Sequence, residues 1–246
     1  MLPFLLLSLR QNHAVAKAEY RDFLATSGLR PEMLVHRMLD TDAARPGDLH
    51  QYSGVFVGGS DLNLGQSPAS AWQHAVNRQV AALLDSPVPV LTMCYGGSVL
   101  AAATGGFVGV THPEKSGGTT VELTAAGRTG PIFGPLSTRF TALTGHTENI
   151  TALGDAATLL ATGPTCPVQA VRYGRHVWSC QFHGEMDAEA MAVRMGFFHG
   201  HGYFSDAEFA QIIAGLPRVD TSQPKALLRN FVAFAVQRAS VAVAAR

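Results

Sequence analysis

The run Val88-Pro89-Val90-Leu91-Thr92-Met93-Cys94-Tyr95-Gly96-Gly97-Ser98 passes from an apolar strand into an Ala-rich helix within a few residues, with a cysteine at the corner. So sharp a corner needs residues without bulk, and Gly96 and Gly97 let the backbone pass close to its neighbours. A chain that folds this way must bury the strand in a sheet, pack the helix back on it and lift the Cys94 side chain above the strand's carboxyl end. Unsatisfied N–H groups and the positive dipole end of the helix favour a thiolate there. Taken alone, the run also reads as a small cysteine packed at a strand end.

The flanking sequence alternates strand and helix. Leu2 to Leu9 reads as a buried strand, His13 to Ser27 as an amphipathic helix closed by Gly28, and Met33 to Leu39 as a second strand. A polar loop over Asp40 to Gln51 leads to the strand Tyr52 to Val57 and a Gly58-Gly59 turn. Trp72, Val76, Val80 and Leu83/Leu84 then mark one face of a helix before the corner strand. This order predicts an α/β fold with a doubly wound, mostly parallel open sheet and helices on both faces. Sites in such folds lie beyond the carboxyl ends of the strands, where Gly58-Gly59 and Cys94 both fall. Phe107 to Val110 with Thr119 to Leu123 reads as a small antiparallel excursion. Thr158 to Ala161, Val168 to Tyr173 and His176 to Phe182 read as strands, Phe197 to Gly202 as a loop, and Asp206 to Ala214 and Lys225 to Val236 as C-terminal helices.

Nothing in the 246 residues resembles a linker between two cores, so a single domain over 1–246 is expected, with 203–246 a helical C-terminal extension. An apolar content of 47% with 15% charged residues suits a sheet buried on both faces. Lys plus Arg and Asp plus Glu are 18 each, which argues against nucleic acid or an acidic membrane surface as partner. Three irregularly spaced cysteines form no disulfide framework, and a reducing, cytoplasmic location is expected. The N-terminal apolar run lacks a basic leader and is cut short by Arg10, so it reads as a strand rather than a signal peptide. No apolar stretch approaches the roughly 20 residues of a membrane span.

Far downstream, His176-Val177-Trp178-Ser179-Cys180-Gln181-Phe182-His183-Gly184-Glu185 is a strand-like run ending on a histidine and a glutamate two positions apart. Residues i and i+2 of an extended chain share a face, so Glu185 can hold one ring nitrogen of His183 while the other faces a nucleophile. Cys94, His183 and Glu185 can thus form an acyl-transfer triad. Alone, the His-x-Glu pair would read as a strand end at the surface.

With these motifs in place, the chain resembles the class I glutamine amidotransferases, in particular the stand-alone, GMP-synthase-like type. That family carries Gly-x-Cys-x-Gly-x-Gln at the corner and Gln-Phe-His-Pro-Glu on the acid strand; here they are Thr92-Met93-Cys94-Tyr95-Gly96-Gly97-Ser98 and Gln181-Phe182-His183-Gly184-Glu185. Val55-Phe56-Val57-Gly58-Gly59-Ser60, Gly145-His146-Thr147-Glu148 and the closing Leu227-Leu228-Arg229-Asn230-Phe231-Val232 also resemble the group. The resemblance implies a flavodoxin-like sheet, a catalytic Cys94/His183/Glu185 set, an oxyanion hole at the Gly59 and Tyr95 N–H groups, and substrate contacts from Gly58, Ser60, Ser98 and His146. It implies neither cofactor nor metal. The substrate would be glutamine, attacked by Cys94 to give a glutamyl thioester, with ammonia passing to a separate synthetase or acceptor. Thr92, Ser98 and Gly184 depart from the family's glycine, glutamine and proline, which bears on specificity and rate more than on reaction type.

Two other readings stay open: a γ-glutamyl peptidase acting on a small γ-glutamyl compound, and a non-catalytic binding module that keeps the fold. Other candidate sites are weaker. His112-Pro113-Glu114 spells the family's His-Pro-Glu but stands only 18 positions after Cys94, in a Gly/Ser/Pro-containing loop. His199 and His201 lack neighbouring ligands for a metal. Cys166 and Cys180 read as packed small residues, and no phosphate-binding glycine motif is present.

Overall fold

A computed structural model describes residues 1–65, 67–199 and 205–244. The first half alternates as expected: β1 (Phe4–Ser8), α1 (His13–Ser27), β2 (Leu34–Met38), β3 (Gly54–Val57), α2 (Ala71–Ala81), β4 (Val90–Met93) and α3 (Tyr95–Ala103). Then come β5 (Phe107–Gly109), β6 (Glu114–Leu123), α4 (Ala125–Thr129), β7 (Arg139–His146), β8 (Asn149–Ala152), β9 (Ala157–Thr162), β10 (Ala170–Tyr173) and β11 (Val177–Cys180). Helices α5 (Ala188–Gly196), α6 (Asp206–Gly215) and α7 (Ser222–Ala244) complete the chain.

One nine-stranded sheet runs in the order β2-β1-β3-β4-β11-β10-β9-β6-β7. Strands β2, β1, β3, β4 and β11 are parallel, and the pairings from β11 onward to β7 are antiparallel. The period of two along each parallel strand sorts its side chains between two helical layers. Phe4, Leu6, Phe56, Leu91 and Trp178 share a core with Phe23 of α1 and Leu227, Leu228 and Phe231 of α7. Their neighbours Leu5, Leu7, Val55, Val57, Val90 and Val177 pack with Val76 and Val80 of α2 and Val99 and Leu100 of α3. Phe231 is a keystone of the first layer, its ring centroid 4.9 Å from that of Phe56 and 6.2 Å from that of Trp178.

Local chemistry fixes the elements that feed the site. Asn12 caps α1 by accepting from the N–H groups of Ala14 and Val15, and Gly28 ends the helix at φ 77°. Ser70 caps α2 and Asp187 caps α5 in the same manner. One expected pairing does not form. Phe107–Gly109 pairs with Asn149–Ala152 in a separate two-stranded sheet, while Thr119–Leu123 belongs to β6 of the main sheet. Helix α7 runs well beyond the expected Lys225 to Val236. His201, Gly202 and Tyr203 lie outside the described residues, so the loop expected there is covered only as far as His199. No helix among the described residues is long and apolar enough to cross a membrane.

Candidate active site

Cys94 stands between β4 and α3 with φ 50° and ψ −107°. No other non-glycine residue among those described has a positive φ. This backbone costs on the order of 1–3 kcal/mol and is held by what surrounds it. The Cys94 N–H donates to the Cys180 carbonyl at 2.7 Å. A Cβ at Gly96 would lie 2.8 Å from the Thr92 Cβ, and one at Gly97 would lie 3.1 Å from the Ser179 Cβ. Thr92, where the family has glycine, therefore fills the space directly beneath the corner and makes the glycine at 96 obligatory.

Register brings the second motif alongside. Strand β11 pairs Ser179 with Thr92 and Cys180 with Met93, so Gln181 and Cys94 leave the sheet side by side. The Gln181 side-chain amide donates to the Cys94 Sγ at 3.6 Å. In the sequence, the signal for Gln181 as a site residue is its position two residues before His183, on the same face of an extended strand. The His183 N–H donates to the Leu143 carbonyl of β7 at 2.8 Å, which fixes the chain after β11. Its Nδ1 meets the Glu185 Oε1 at 2.7 Å, and Glu185 is fully buried. Burial works to lower the pKa of His183, but the charge of Glu185 and the hydrogen bonds to Cys94 and Glu185 outweigh it and raise it. Burial likewise works to raise the pKa of Glu185, and the charges of His183 and Arg194 hold it below the usual carboxylate range. Each partner thus favours the charged form of the other, the imidazolium beside the carboxylate.

The turn after β3 closes over this pair. A Cβ at Gly58 would run into the Glu19 carboxyl group, and one at Gly59 would lie 2.9 Å from the His183 Cε1. The Ser60 hydroxyl donates to the Leu9 carbonyl at 2.7 Å and ties the turn to the end of β1. Tyr95 opens α3 with its side chain buried against α2, its hydroxyl donating to the Asn77 Oδ1 at 2.6 Å. Burial pushes the Tyr95 phenol up to about 12 despite hydrogen bonds with Gln73 and Asn77.

Cys94, Tyr95, Ser98, Gln181, His183 and Ser60 all line one cavity of about 850 Å³. Met186, together with Met191 and Met195 of α5 and Ile212 of α6, gives it an apolar flank. His146 also lines it, yet both of its ring nitrogens are committed: Nε2 to the Glu114 Oε2 and Nδ1 to the Glu148 carbonyl, each at 2.9 Å. It presents a fixed ring edge, without a spare nitrogen. Glu114 in turn accepts from Thr119 at 2.6 Å, from Gln169 at 2.9 Å and from Thr165. Burial works to raise the Glu114 pKa, and hydrogen bonds from His146, Thr119, Thr165 and Gln169 bring it down to about 2.

The glutamate of the competing His112-Pro113-Glu114 motif is thus the anchor beneath His146. His112 itself is exposed, bonded to the Thr111 hydroxyl, and is not among the residues that line the cavity. Donor atoms of Glu114, His146 and Cys166 lie within 4.8 Å of one another, the spacing of a metal cluster. Each is already occupied, since the Cys166 thiol donates to the Val168 carbonyl and burial pushes it up to about 11. Cys180 is fully buried. His199 pairs with Asp206 at 3.0 Å.

Comparisons with known proteins bear on the family and the fold. The family model for "Glutamine amidotransferase class-I" matches residues 34–199. The glutamine amidotransferase-like protein YfeJ of Salmonella typhimurium is 33% identical over 122 residues, which are 49% of this chain and 48% of that protein. A GMP synthase [glutamine-hydrolyzing] of Thermomicrobium roseum is 32% identical over 123 residues, 50% of this chain and 23% of the synthase. The matched segment thus spans about half or less of these curated relatives. Among solved structures, a glutamine amidotransferase from Thermotoga maritima superposes with a TM-score of 0.74 at 19% identity, covering 95% of this chain and 98% of that one. One from Methylobacillus flagellatus gives 0.69 at 17% identity, with 94% of each chain covered. The chain belongs to the class-I glutamine amidotransferase family.

Proposed function

We propose that the protein hydrolyses a γ-carboxamide of glutamine type through Cys94, His183 and Glu185. The observation that carries this reading is the placement of the Cys94 Sγ, on a strained corner, in one cavity with the Gln181 amide and the buried His183–Glu185 pair. The Cys94 thiolate adds to the amide carbon, and the N–H groups of Gly59 and Tyr95 receive the oxygen as its charge grows. A donor of this kind contributes about 3–4 kcal/mol in the transition state. The protonated His183 ring passes its proton to the departing nitrogen, the C–N bond breaks, and a glutamyl thioester and ammonia result. Water then gives a proton back to His183 and adds to the thioester, releasing glutamate and regenerating the thiolate. Glu185 keeps the ring oriented and its charge supported throughout. Ammonia passes to a separate acceptor or synthetase. The test is glutamate release from glutamine by the wild type against Cys94→Ala, which should retain the fold and lose turnover. Full activity in the alanine variant excludes the reading.

A second reading, hydrolysis of a larger γ-glutamyl amide, is favoured by the cavity itself. Glutamine has about ten non-hydrogen atoms, whereas cavities of roughly 300–1,000 Å³ suit drug-sized ligands, and this one is about 850 Å³. Ser98, buried on the wall where the family has a longer amide side chain, contributes to that space. Comparing kcat/KM for glutamine and γ-glutamyl amides in wild type and Ser98→Gln separates the two. The larger substrate should lose and glutamine gain on substitution.

A further inference from the structure

Arg10 follows β1 and is 5% exposed, yet it belongs to the wall of the cavity that holds Cys94 and His183. Its Nε donates to the Glu19 Oε1 at 3.1 Å. Glu19 is fully buried, and its other oxygen accepts from the Ser8 hydroxyl at 2.6 Å. No other hydrogen bond of the Arg10 side chain is made to a described residue, so its two Nη groups have no acceptor among the described residues, and Arg10 lines the cavity. Arg194, the second guanidinium on this wall, differs: its Nη2 pairs with Asp22 at 2.5 Å and its Nη1 lies 3.5 Å from Glu19, and its Nε and Nη1, which make no hydrogen bond, are fully buried.

The direction of the open edge is set by Gly59. A Cβ at that glycine would lie 3.5 Å from the Arg10 Nη2 and 2.9 Å from the His183 Cε1, so guanidinium and imidazole converge on the same turn. Of the other charges on the wall, Glu114 is held by its ring of donors, Glu148 by the N–H groups of Leu64 and Gly65, and Lys115 by Glu208, while Asp61 stands exposed at the surface. A buried guanidinium with two unused N–H edges is matched by a planar anion that accepts both, namely a carboxylate.

We propose that Arg10 binds a carboxylate of the substrate, making it a specificity-determining residue of the site; this rests on the hydrolytic reading above for the identity of the substrate. The carboxylate has two possible sources with the same chemistry. It is either the α-carboxylate of the glutamyl group or a carboxylate on the departing amine, as in a γ-glutamyl amino acid.

Two measurements decide it. In the first, alkylation of Cys94 in the wild type by iodoacetamide is slowed with glutamate or with 4-aminobutyrate, which lacks the α-carboxylate. In the second, kcat/KM is compared for γ-glutamylglycine and γ-glutamyl methylamide, which differ by the carboxylate on the amine. One of the two pairs should differ by about tenfold to a hundredfold, the range for a hydrogen bond to a charged group, and that pair identifies the source. In Arg10→Gln the difference should collapse while the partner lacking the carboxylate is little changed, and Arg10→Lys should restore part of it. Equal behaviour within both pairs in the wild type overturns the proposal, as does Arg10→Gln weakening all ligands alike. If the glutamine variant does not fold, the wild-type pairs and Arg10→Lys still decide. Carboxylate-dependent protection of Cys94 without turnover of any amide would support Arg10 in this role and contradict the hydrolytic reading.

Discussion

Gly59 lies against His183 so closely that a methyl group on its α-carbon would stand 2.9 Å from the ring's Cε1. The glycine is therefore required for the position of the imidazole. Gly59→Ala should displace the ring or the turn. A misplacement of about 1 Å can cost about 10²-fold in rate, so kcat for amide hydrolysis should fall by at least that factor while thermal stability changes little. A variant with unchanged kcat would show that the His183 position is not set by this contact.

Glu185 supports the proton on His183 from a fully buried position 2.7 Å away. Glu185→Gln keeps the shape and removes the charge. Its kcat should fall by about 10²-fold or more, within the range of general acid–base contributions, and His183→Ala should cost at least as much. The His183 pKa, followed by NMR, should drop in Glu185→Gln, since burial alone works to lower it. A His183 titration unaffected by the substitution would contradict the coupling.

Glu114 makes an acid-stability prediction. Its folded pKa of about 2 lies below the ordinary value of 4.5, so the unfolded state binds more protons in that window. The stabilisation it contributes is fully present above about 4.5 and is lost as pH falls through about 2. Thermal melts between these limits should show a steeper loss for wild type than for Glu114→Gln, which is already less stable at neutral pH. The same variant should loosen His146, whose Nε2 loses a charged partner. Parallel acid limbs in the two proteins would rule out this role.

The parallel half of the sheet was legible because its strands are short apolar runs flanked by turn residues. Val55–Val57, Val90–Met93 and Val177–Cys180 bury both faces, as their mostly apolar character implies, with Thr92 and Ser179 the polar exceptions. The antiparallel half was much less so. Strand β6 holds Lys115, Ser116, Gly117 and Gly118, a stretch with weak strand propensity whose pairing with β7 is tertiary in origin. Helix α5, unread in the sequence, is nine residues long and takes much of its definition from the Asp187 cap and its packing on α1. At the site, the Cys94 corner and the His-x-Glu pair were visible as local patterns. Arg10 and Glu114 were not, because their partners, Thr119 aside, lie 9 to 55 residues away and only the fold brings them together.

Gly184 shows why a departure from a family motif can be structural. A Cβ there would lie 2.6 Å from the Leu228 Cδ1 of α7, which occupies the space a larger residue would need. The substitution of glycine for proline thus belongs to the packing of α7 and leaves His183 and Glu185 in hydrogen-bond contact.

The most direct test of the central claim is intact-mass and peptide-level mass spectrometry of the wild type quenched in acid during turnover of glutamine or a γ-glutamyl amide. A glutamyl group should be found on Cys94, labile to hydroxylamine as a thioester is, absent from Cys94→Ala and persisting longer in His183→Ala if that variant acylates at all. Turnover with no adduct on Cys94, or with the adduct on Cys166 or Cys180, would contradict it.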